Sequence, residues 1–410
     1  MEPSSPIVPT LRPASPLEEP SIVTLLDDAF GRTECDSRLA LELAGGHPAF
    51  ERRLALLAEV EGEAAGWALL LPRRFRMRGL WVSMGVLGPI GVAPARQGLG
   101  VGGALVRACL DAMEPNGLLA VVLLGSPLRY GRHGFAPAFD LHTLRVPTHV
   151  LPEEGDTSDW RALRGEDLEP LEDVHLASYG AINGCEERLP CALDWECLAP
   201  DAHTLVRGAV GAPSAYLRFR KRAEFEVTEC GAADADAVQA VVRLLSRLAR
   251  EHARREIRLN LALPHPVARC LLELGGLLER SDFGGAAMMC VRDWGALLRA
   301  LAPSWAPALR GLRKPSCSLE IEGRTLRLAA GRHGATVGEG RPRRRHVWIP
   351  PGWGPGLITG QRAAEELVFD RRVRARSRLD PDFVATLRLL FPGGTAQWVW
   401  SPAYEIADED

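Results

Sequence analysis

The stretch Leu87-Gly-Pro-Ile-Gly-Val-Ala-Pro-Ala-Arg-Gln-Gly-Leu-Gly-Val-Gly-Gly-Ala-Leu-Val-Arg107 puts glycines where an anion needs bare backbone. It reads as a strand, a glycine-rich turn and the first turns of a helix. Its strand end holds Ile90, Gly91 and Val92, and its turn holds Arg96, Gln97, Gly98, Leu99, Gly100, Val101 and Gly102. The first amides of a helix have no intrahelical acceptor, and the helix dipole adds partial positive charge there. Such a turn can hold a pyrophosphate. Gly98-x-Gly100-x-x-Gly103 also satisfies the dinucleotide pattern G-x-G-x-x-G, which alone is a weak signal. That pattern wants the strand to end at the first glycine, whereas Pro94-Ala-Arg-Gln97 intervenes. It also wants an acid about 20 residues on, at the end of the next strand. Here that strand, Leu118–Leu124, ends in Gly125-Ser126. A third reading, glycines needed only for close packing of a helix on a sheet, stays open at this point.

A second constellation follows that strand: Leu124-Gly-Ser-Pro-Leu-Arg-Tyr130-Gly-Arg-His-Gly-Phe135. A phenol fixed at a strand end can hand a proton to a leaving group. The plain alternative is an aromatic ring packed against the end of the sheet. His133 stands beside Tyr130, and a lone histidine near a turn is more often structural.

These residues need a scaffold. A helix is expected from Ser21, with Ser21 as cap and Ile22, Leu25, Leu26 and Phe30 at helical spacing. Residues 1–20, rich in Pro and Ser, read as a disordered arm. Strands are expected at Leu54–Glu61 and Ala64–Leu71 around the turn Glu61-Gly62-Glu63, and another at Trp81–Val92. The helix after the glycine turn runs to about Met113, with Val101, Ala104, Leu105, Ala108, Cys109 and Ala112 as its apolar stripe. Leu118–Leu124 is an unbroken apolar run, as in a strand buried on both faces. Thr148–Asp159 reads as a linker, and a second α/β unit follows. That unit has a helix over Asp234–Ala253 and strands over Glu256–Leu263 and Ala286–Val291, but no second glycine turn. From Asp293 the texture changes to a helix at Trp294–Leu301, a hairpin of Ser316–Ile321 and Thr325–Leu328 through Glu322-Gly323-Arg324, a strand at His346–Ile349, and late helices over Ala363–Val368 and Pro381–Phe391. The fold class is α/β (α+β), divided into the arm at 1–20 and units at 21–150, 151–291 and 292–410.

The two constellations together resemble the GNAT superfamily of acyl-CoA N-acyltransferases, the glycine turn matching its acetyl-CoA motif. Tyr-Gly-Arg-His-Gly-Phe135 is similar to the Tyr-Gly-Arg-Phe-Gly-Tyr/Phe signature of its Eis (enhanced intracellular survival) branch. Glu320–Arg327, Gly360-Gln-Arg-Ala-Ala-Glu-Glu-Leu367 and Leu390-Phe-Pro392 resemble the branch's sterol-carrier-like C-terminal domain. The resemblance implies two tandem GNAT-like domains, only the first catalytic, followed by that third domain, and a homo-oligomer, often a hexamer. It implies acetyl-CoA as co-substrate and no metal. The backbone near Ile90 and Val92 would hold the pantetheine arm, and Arg96 to Gly102 the pyrophosphate. Tyr130 would protonate the CoA thiolate as it leaves, after direct attack by a primary amine of an aminoglycoside, a polyamine or a lysine side chain. Asp27, Asp28 and Phe30 lie where the branch places acidic and aromatic substrate contacts, and an acidic rim would attract a cationic amine. Ordinary surface acids at a helix end are the alternative. In the branch the C-terminal carboxylate enters the first domain's pocket. Here the matching aromatic is Tyr404, and six residues ending at Asp410 follow it, which reads as a solvated acidic tail. A different class, a non-catalytic CoA- or lipid-binding protein using the third unit, is the alternative function.

Bulk properties fit these readings. At 410 residues two to three domains are expected. A net charge of −3 argues against nucleic-acid binding by bulk electrostatics, and the arginine clusters 341–345 and 371–378 read as solvated or salt-bridged faces. Apart from Lys221 and Lys314, the 49 basic residues are arginine, as in the product of a GC-rich genome. The nine cysteines are scattered, and Cys185, Cys191 and Cys197 lack the C-x-x-C pairing of zinc sites. No signal peptide is seen and no apolar run reaches the roughly 20 residues of a membrane span. The expectation is a cytoplasmic protein.

Overall fold

Apolar residues alternate along the longest strand, β3 (Glu63–Met77). Trp67, Leu69, Leu71, Phe75 and Met77 join one buried cluster, while Ala68 and Leu70 join another. A period of two places these sets on opposite faces, so β3 must be covered on both sides. The structure, a computed structural model, describes residues 8–31, 36–153, 155–196, 202–221, 225–281, 287–310, 316–331, 334–394 and 396–399.

Around β3 the first sheet takes the order β1 (Thr10–Pro13), β2 (Ala55–Val60), β3, β4 (Leu80–Val92), β5 (Ala120–Leu124), β15 (Ala287–Cys290), β6 (Ala136–Pro137). Helices α1 (Glu19–Phe30) and α2 (Asp36–Ala44) cover one face, through Ile22, Leu25, Leu26, Leu39 and Leu43. Helix α3 (Val101–Asp111) covers the other, through Val101, Leu105, Val106 and Cys109. Each such side chain contributes about 1.5–3 kcal/mol on burial. Gly66 allows the close approach, since a Cβ there would meet Leu105 and Val101 side-chain carbons at 3.0 Å.

The expected disordered arm is corrected by this sheet from residue 10 onward, while residues 1–7 lie outside the described residues. Residues 10–13 are a strand paired with β2, and Ser15 N–H donates to the Glu18 carboxylate at 2.7 Å at the start of a short 3-10 turn leading into α1. Ser21 therefore lies inside α1 and does not cap it. The Ser-Pro-Leu-Glu spacing carried that signal. The hairpin turn is confined to Glu61 and Gly62, both at positive φ, as two-residue hairpin turns require.

The second sheet takes the order β14 (Leu277–Ser281), β7 (Leu141–Pro147), β13 (Glu256–Leu259), β12 (Phe225–Ala232), β11 (Ala212–Lys221), β10 (Ala202–Ala209), β8 (Trp160–Ala162). Helices α5 (Leu171–Tyr179), α6 (Ala235–Glu251) and α7 (Pro266–Glu273) pack on it. Both sheets contain one strand–helix–strand crossover between parallel neighbours, β4–α3–β5 and β12–α6–β13. They also exchange strands. β7, from the first stretch of chain, sits between β13 and β14 of the second sheet, and β15, from the second, sits between β5 and β6 of the first. The expected breaks at residues 150 and 291 are thus not clean cuts, because each sheet is completed by the other's chain. Main-chain hydrogen bonding drives this: a strand left at an open edge would expose its ladder groups.

The third unit is a four-stranded sheet, β18 (Gly334–Glu339), β17 (Arg324–Gly331), β16 (Ser316–Ile321) and β19 (His346–Trp348), packed against α8 (Trp294–Arg310). Four short helices follow, ending in α12 (Pro381–Leu390). The chain then returns to the first sheet, where β20 (Ala396–Val399) pairs with β9 (Asn183–Glu186) and β9 with β3. No helix of the described residues is long and apolar enough to cross a membrane.

Candidate active site

Strands β4 and β5 pair in parallel only over Met84–Val86 with Ala120–Val122, although β4 continues to Val92. Beyond Val86 the two strands part. On its other edge β4 stays paired with β3, and Ala93 N–H donates to Ala65 O at 3.0 Å. Antiparallel pairing alternates the direction of the backbone groups. If Ala93 and Gly91 point toward β3, then Ile90 and Val92 point their amides and carbonyls into the gap that β5 has vacated. A bulge aids the divergence: two residues of β4, Gly88 and Pro89, joined by a cis peptide, face one residue of β3. Gln97 Nε2 donates to Val92 O at 3.1 Å, tying the turn to the strand end.

The glycine turn closes this gap. Gly98 and Gly100 have φ of +76° and +93°, a region L side chains rarely adopt, and a Cβ at either would meet nothing within 4 Å. They are glycine for conformation and openness, not for close packing. Gly100 is the N-cap of α3 and has no side chain to satisfy the first amides. The first bond inside the helix is Ala104 N–H to Gly100 O at 3.0 Å. The amides of Val101, Gly102 and Gly103 therefore face out at the positive end of the dipole. Leu99 is half-buried and Val101 is fully buried, anchoring the loop. The Arg96 guanidinium lies with Glu61 at 2.9 Å and Glu63 at 3.6 Å, turned to the β2–β3 hairpin.

Tyr130 ends the short helix α4 (Pro127–Tyr130) after β5 and is 9% exposed. Its ring sits on Gly125, where a Cβ would lie 2.3 Å from Tyr130 Cε2, and meets Phe135 edge-on with centroids 6.0 Å apart. Burial raises the phenol's pKa, against a smaller opposing pull from Arg129. Tyr130 is thus held in its protonated form, the form a proton donor needs. It packs in one cluster with Leu87, Val101 and Leu105, with Ile90 and Val92 at the edge. The fold thus brings together the three parts read from sequence: strand end, glycine turn and tyrosine.

Helix α1 crosses the opposite face of β4 at Gly91, where a Cβ would meet Leu26 Cδ2 at 2.6 Å. This puts Asp27 half-buried, Asp28 exposed and Phe30 partly buried on the side of β4 away from α3. Among the described residues no cation pairs with Asp27 or Asp28. Tyr404 and Asp410 lie outside the described residues.

The corresponding cleft of the second unit is filled. β12 and β13 also part early, pairing only at Glu226–Val227. There, Tyr179 OH accepts from Cys230 N, His265 Nε2 reaches Cys230 O at 2.9 Å, and Ser178 Oγ accepts from Ala232 N at 2.9 Å. Helix α6 is capped by Asp234, whose carboxylate accepts from Ala237 N and would repel a phosphate. His265 also accepts from Val267 N through Nδ1, so its hydrogen bonds define the neutral ring. Burial pushes its pKa down to about 3. A neutral buried histidine stabilises the fold above its unfolded pKa, and that contribution is lost as pH falls toward the folded value. The melting temperature should therefore drop between about pH 6.5 and pH 3, and His265→Asn should flatten that part of the profile. An unchanged acid limb in the variant would show that His265 is not the titrating group.

Two other polar clusters are structural. His47, Cys191 and Asp194 lie within 4.8 Å of one another. His47 Nδ1 accepts from Ala49 N, and its Nε2 lies 3.1 Å from Asp194 Oδ1 and 3.2 Å from Arg73 Nη1, so an arginine cation already stands where a metal ion would bind. Arg73 completes that knot through Asp194 Oδ2 at 2.7 Å. Cys185, His175 and Glu229 line up like a nucleophile, base and orienting acid, at 3.3 and 3.1 Å. All three are buried, and burial drives the Cys185 thiol far above its usual range, so no thiolate forms there.

Residues 10–138 match the family model described as an acetyltransferase (GNAT) domain. The "uncharacterized N-acetyltransferase YjhQ" of Escherichia coli K12 is 37% identical over 101 residues, 25% of this chain. The chain spans about half, 55%, of that curated relative. A GCN5-related N-acetyltransferase from Anabaena variabilis superposes with a TM-score of 0.74 at 15% identity, covering 96% of this chain and 99% of that one. Eis1 from Mycobacterium abscessus gives 0.66 at 18% identity, covering 95% and 98%. At these identities the structural likeness shows the fold, and it runs through all three units.

Proposed function

We propose that this chain, whose residues 10–138 match the GNAT acetyltransferase family model and whose fold is similar throughout to Eis1, moves an acetyl group from acetyl-CoA to a primary amine. The observation that carries the reading is the gap between β4 and β5, opening beside a helix start free of side chains and a buried phenol. The pantetheine arm would add to β4 as a missing strand, through Ile90 and Val92. The diphosphate would take the amides from Gly100 to Gly103.

The amine nitrogen attacks the thioester carbonyl, whose oxygen becomes an oxyanion facing the Val92 amide. The C–S bond then breaks. The departing thiolate takes the Tyr130 phenol proton, giving free CoA thiol. The new amide nitrogen loses its proton to water, and Tyr130 regains one from solvent. The acceptor is a small polyamine, an aminoglycoside or a lysine side chain, drawn by Asp27 and Asp28. A homo-oligomer, as a hexamer, belongs to the same reading, and sedimentation equilibrium would test it.

The alternative, a lipid carrier resembling a sterol-carrier domain, finds little support in the third unit. Its interior is packed by Trp294, Trp305, Leu319, Leu326 and Phe383. Titrating acetyl-CoA into the protein by calorimetry, then following CoA release with a panel of amines, tests the reading. Micromolar binding with turnover of one amine class is expected. A folded protein that binds no acetyl-CoA would overturn it.

A further inference from the structure

Two arginines and a histidine meet beside the glycine turn without a carboxylate. A Cβ on Gly103, in the first turn of α3, would lie 3.5 Å from Arg107 NH1 and 3.5 Å from His133 Cε1. Arg132 Nε lies 3.3 Å from His133 Nε2. Arg107 and Arg132 are exposed, His133 is half-buried, and among the described residues none of the three has an acidic partner. Burial first, and then Arg132 and Arg107, lower the pKa of His133, as expected if the three groups face one another. This contrasts with Arg96 on the turn itself, which is paired with Glu61 and Glu63, and with Arg12 on the edge strand β1 and Arg145 on the inner strand β7, each held by two glutamates. Uncompensated like charges repel, so a cluster of them on an exposed corner favours an anion.

The position says which anion. The diphosphate would use the amides at the start of α3, which the turn presents toward the β4 edge. The cluster lies to the side of that line, because a Cβ on Gly103 points outward from the helix while its amide points along the axis, and it reaches the loop after α4. Leu128 of α4 is 95% exposed nearby in sequence and offers an apolar surface beside the charges. Beyond its diphosphate, CoA continues to a ribose bearing a 3′-phosphomonoester, which carries about −1.5 to −2 charge at neutral pH, as other phosphomonoesters do.

We propose that Arg107, Arg132 and His133 form a subsite for the 3′-phosphate of CoA and so make the protein select CoA over dephospho-CoA. The inference rests on the acetyl-CoA reading above. It assigns the trio to specificity, not to the acyl-transfer chemistry.

The test is calorimetry of the full chain with CoA and with dephospho-CoA, for the wild type and for Arg107→Ala/Arg132→Ala. Both arginines are exposed, so the variant keeps its core. The wild type should bind CoA about 10-fold more tightly than dephospho-CoA. The variant should bind the two alike, at the wild type's affinity for dephospho-CoA. A wild type that binds both equally would overturn the subsite and leave the acetyl-CoA reading standing. A variant that loses dephospho-CoA as severely as CoA would move the cations to the diphosphate and also overturn it. A wild type that binds neither ligand would overturn both readings.

Discussion

Gly100→Glu should weaken acetyl-CoA binding by about 100-fold or more, because it puts a carboxylate where the diphosphate must sit. Two unit charges about 4 Å apart near a protein surface interact by about 4 kcal/mol, which alone would suffice. Conformation adds to this. Gly100 has a φ of +93°, and an L side chain in the left-handed region costs about 1–2 kcal/mol. Sterics do not enter, since a Cβ there would have nothing within 4 Å. Gly100→Ala therefore serves as the control: it carries the conformational cost without the charge and should lose only a few-fold in affinity. Calorimetry on both variants, with thermal melts to confirm folding, separates the effects. Wild-type affinity in the glutamate variant would mean that the phosphates do not rest on this turn.

Tyr130→Phe should lower kcat by about 100-fold or more while leaving acetyl-CoA affinity within about two-fold, the usual range for losing one general acid. The substitution keeps the ring on Gly125 and its edge contact with Phe135, so only the hydroxyl is removed. A second readout guards against a merely structural role. The wild-type phenol works as an acid only while protonated, and burial raises its pKa. Activity should therefore persist above the ordinary tyrosine range and fall as pH rises through that raised value. The phenylalanine variant should lack that fall. Unchanged turnover would remove Tyr130 from the chemistry.

The sequence determined the chemistry-bearing segments closely. Glycines at 98, 100, 102 and 103, an apolar run ending near Leu124 and a tyrosine six residues later are local signals. Each depends on backbone freedom or periodicity within a few residues, and those effects do not need the rest of the molecule. The helix after Gly100, the strand ending at Val92 and the hairpin at Glu61-Gly62 were legible for the same reason. The bond from Ser15 N–H to the Glu18 carboxylate was equally local but was hidden within a proline-rich composition.

Other features were decided only by tertiary structure. No local pattern distinguishes β15 as a strand of the first sheet, because Ala287–Cys290 would be as apolar in either sheet. Its place is set by its pairing with β5 on one side and β6 on the other. The same holds for the partners of long polar side chains. Arg96, read as a phosphate ligand from its position before the glycines, is held by Glu61 and Glu63, while Arg107, Arg132 and His133 converge without an acid. Backbone propensity acts over a few residues and leaves its mark in the sequence. Charge pairing and strand exchange act through space between residues tens to more than a hundred positions apart, so only the folded chain could settle them.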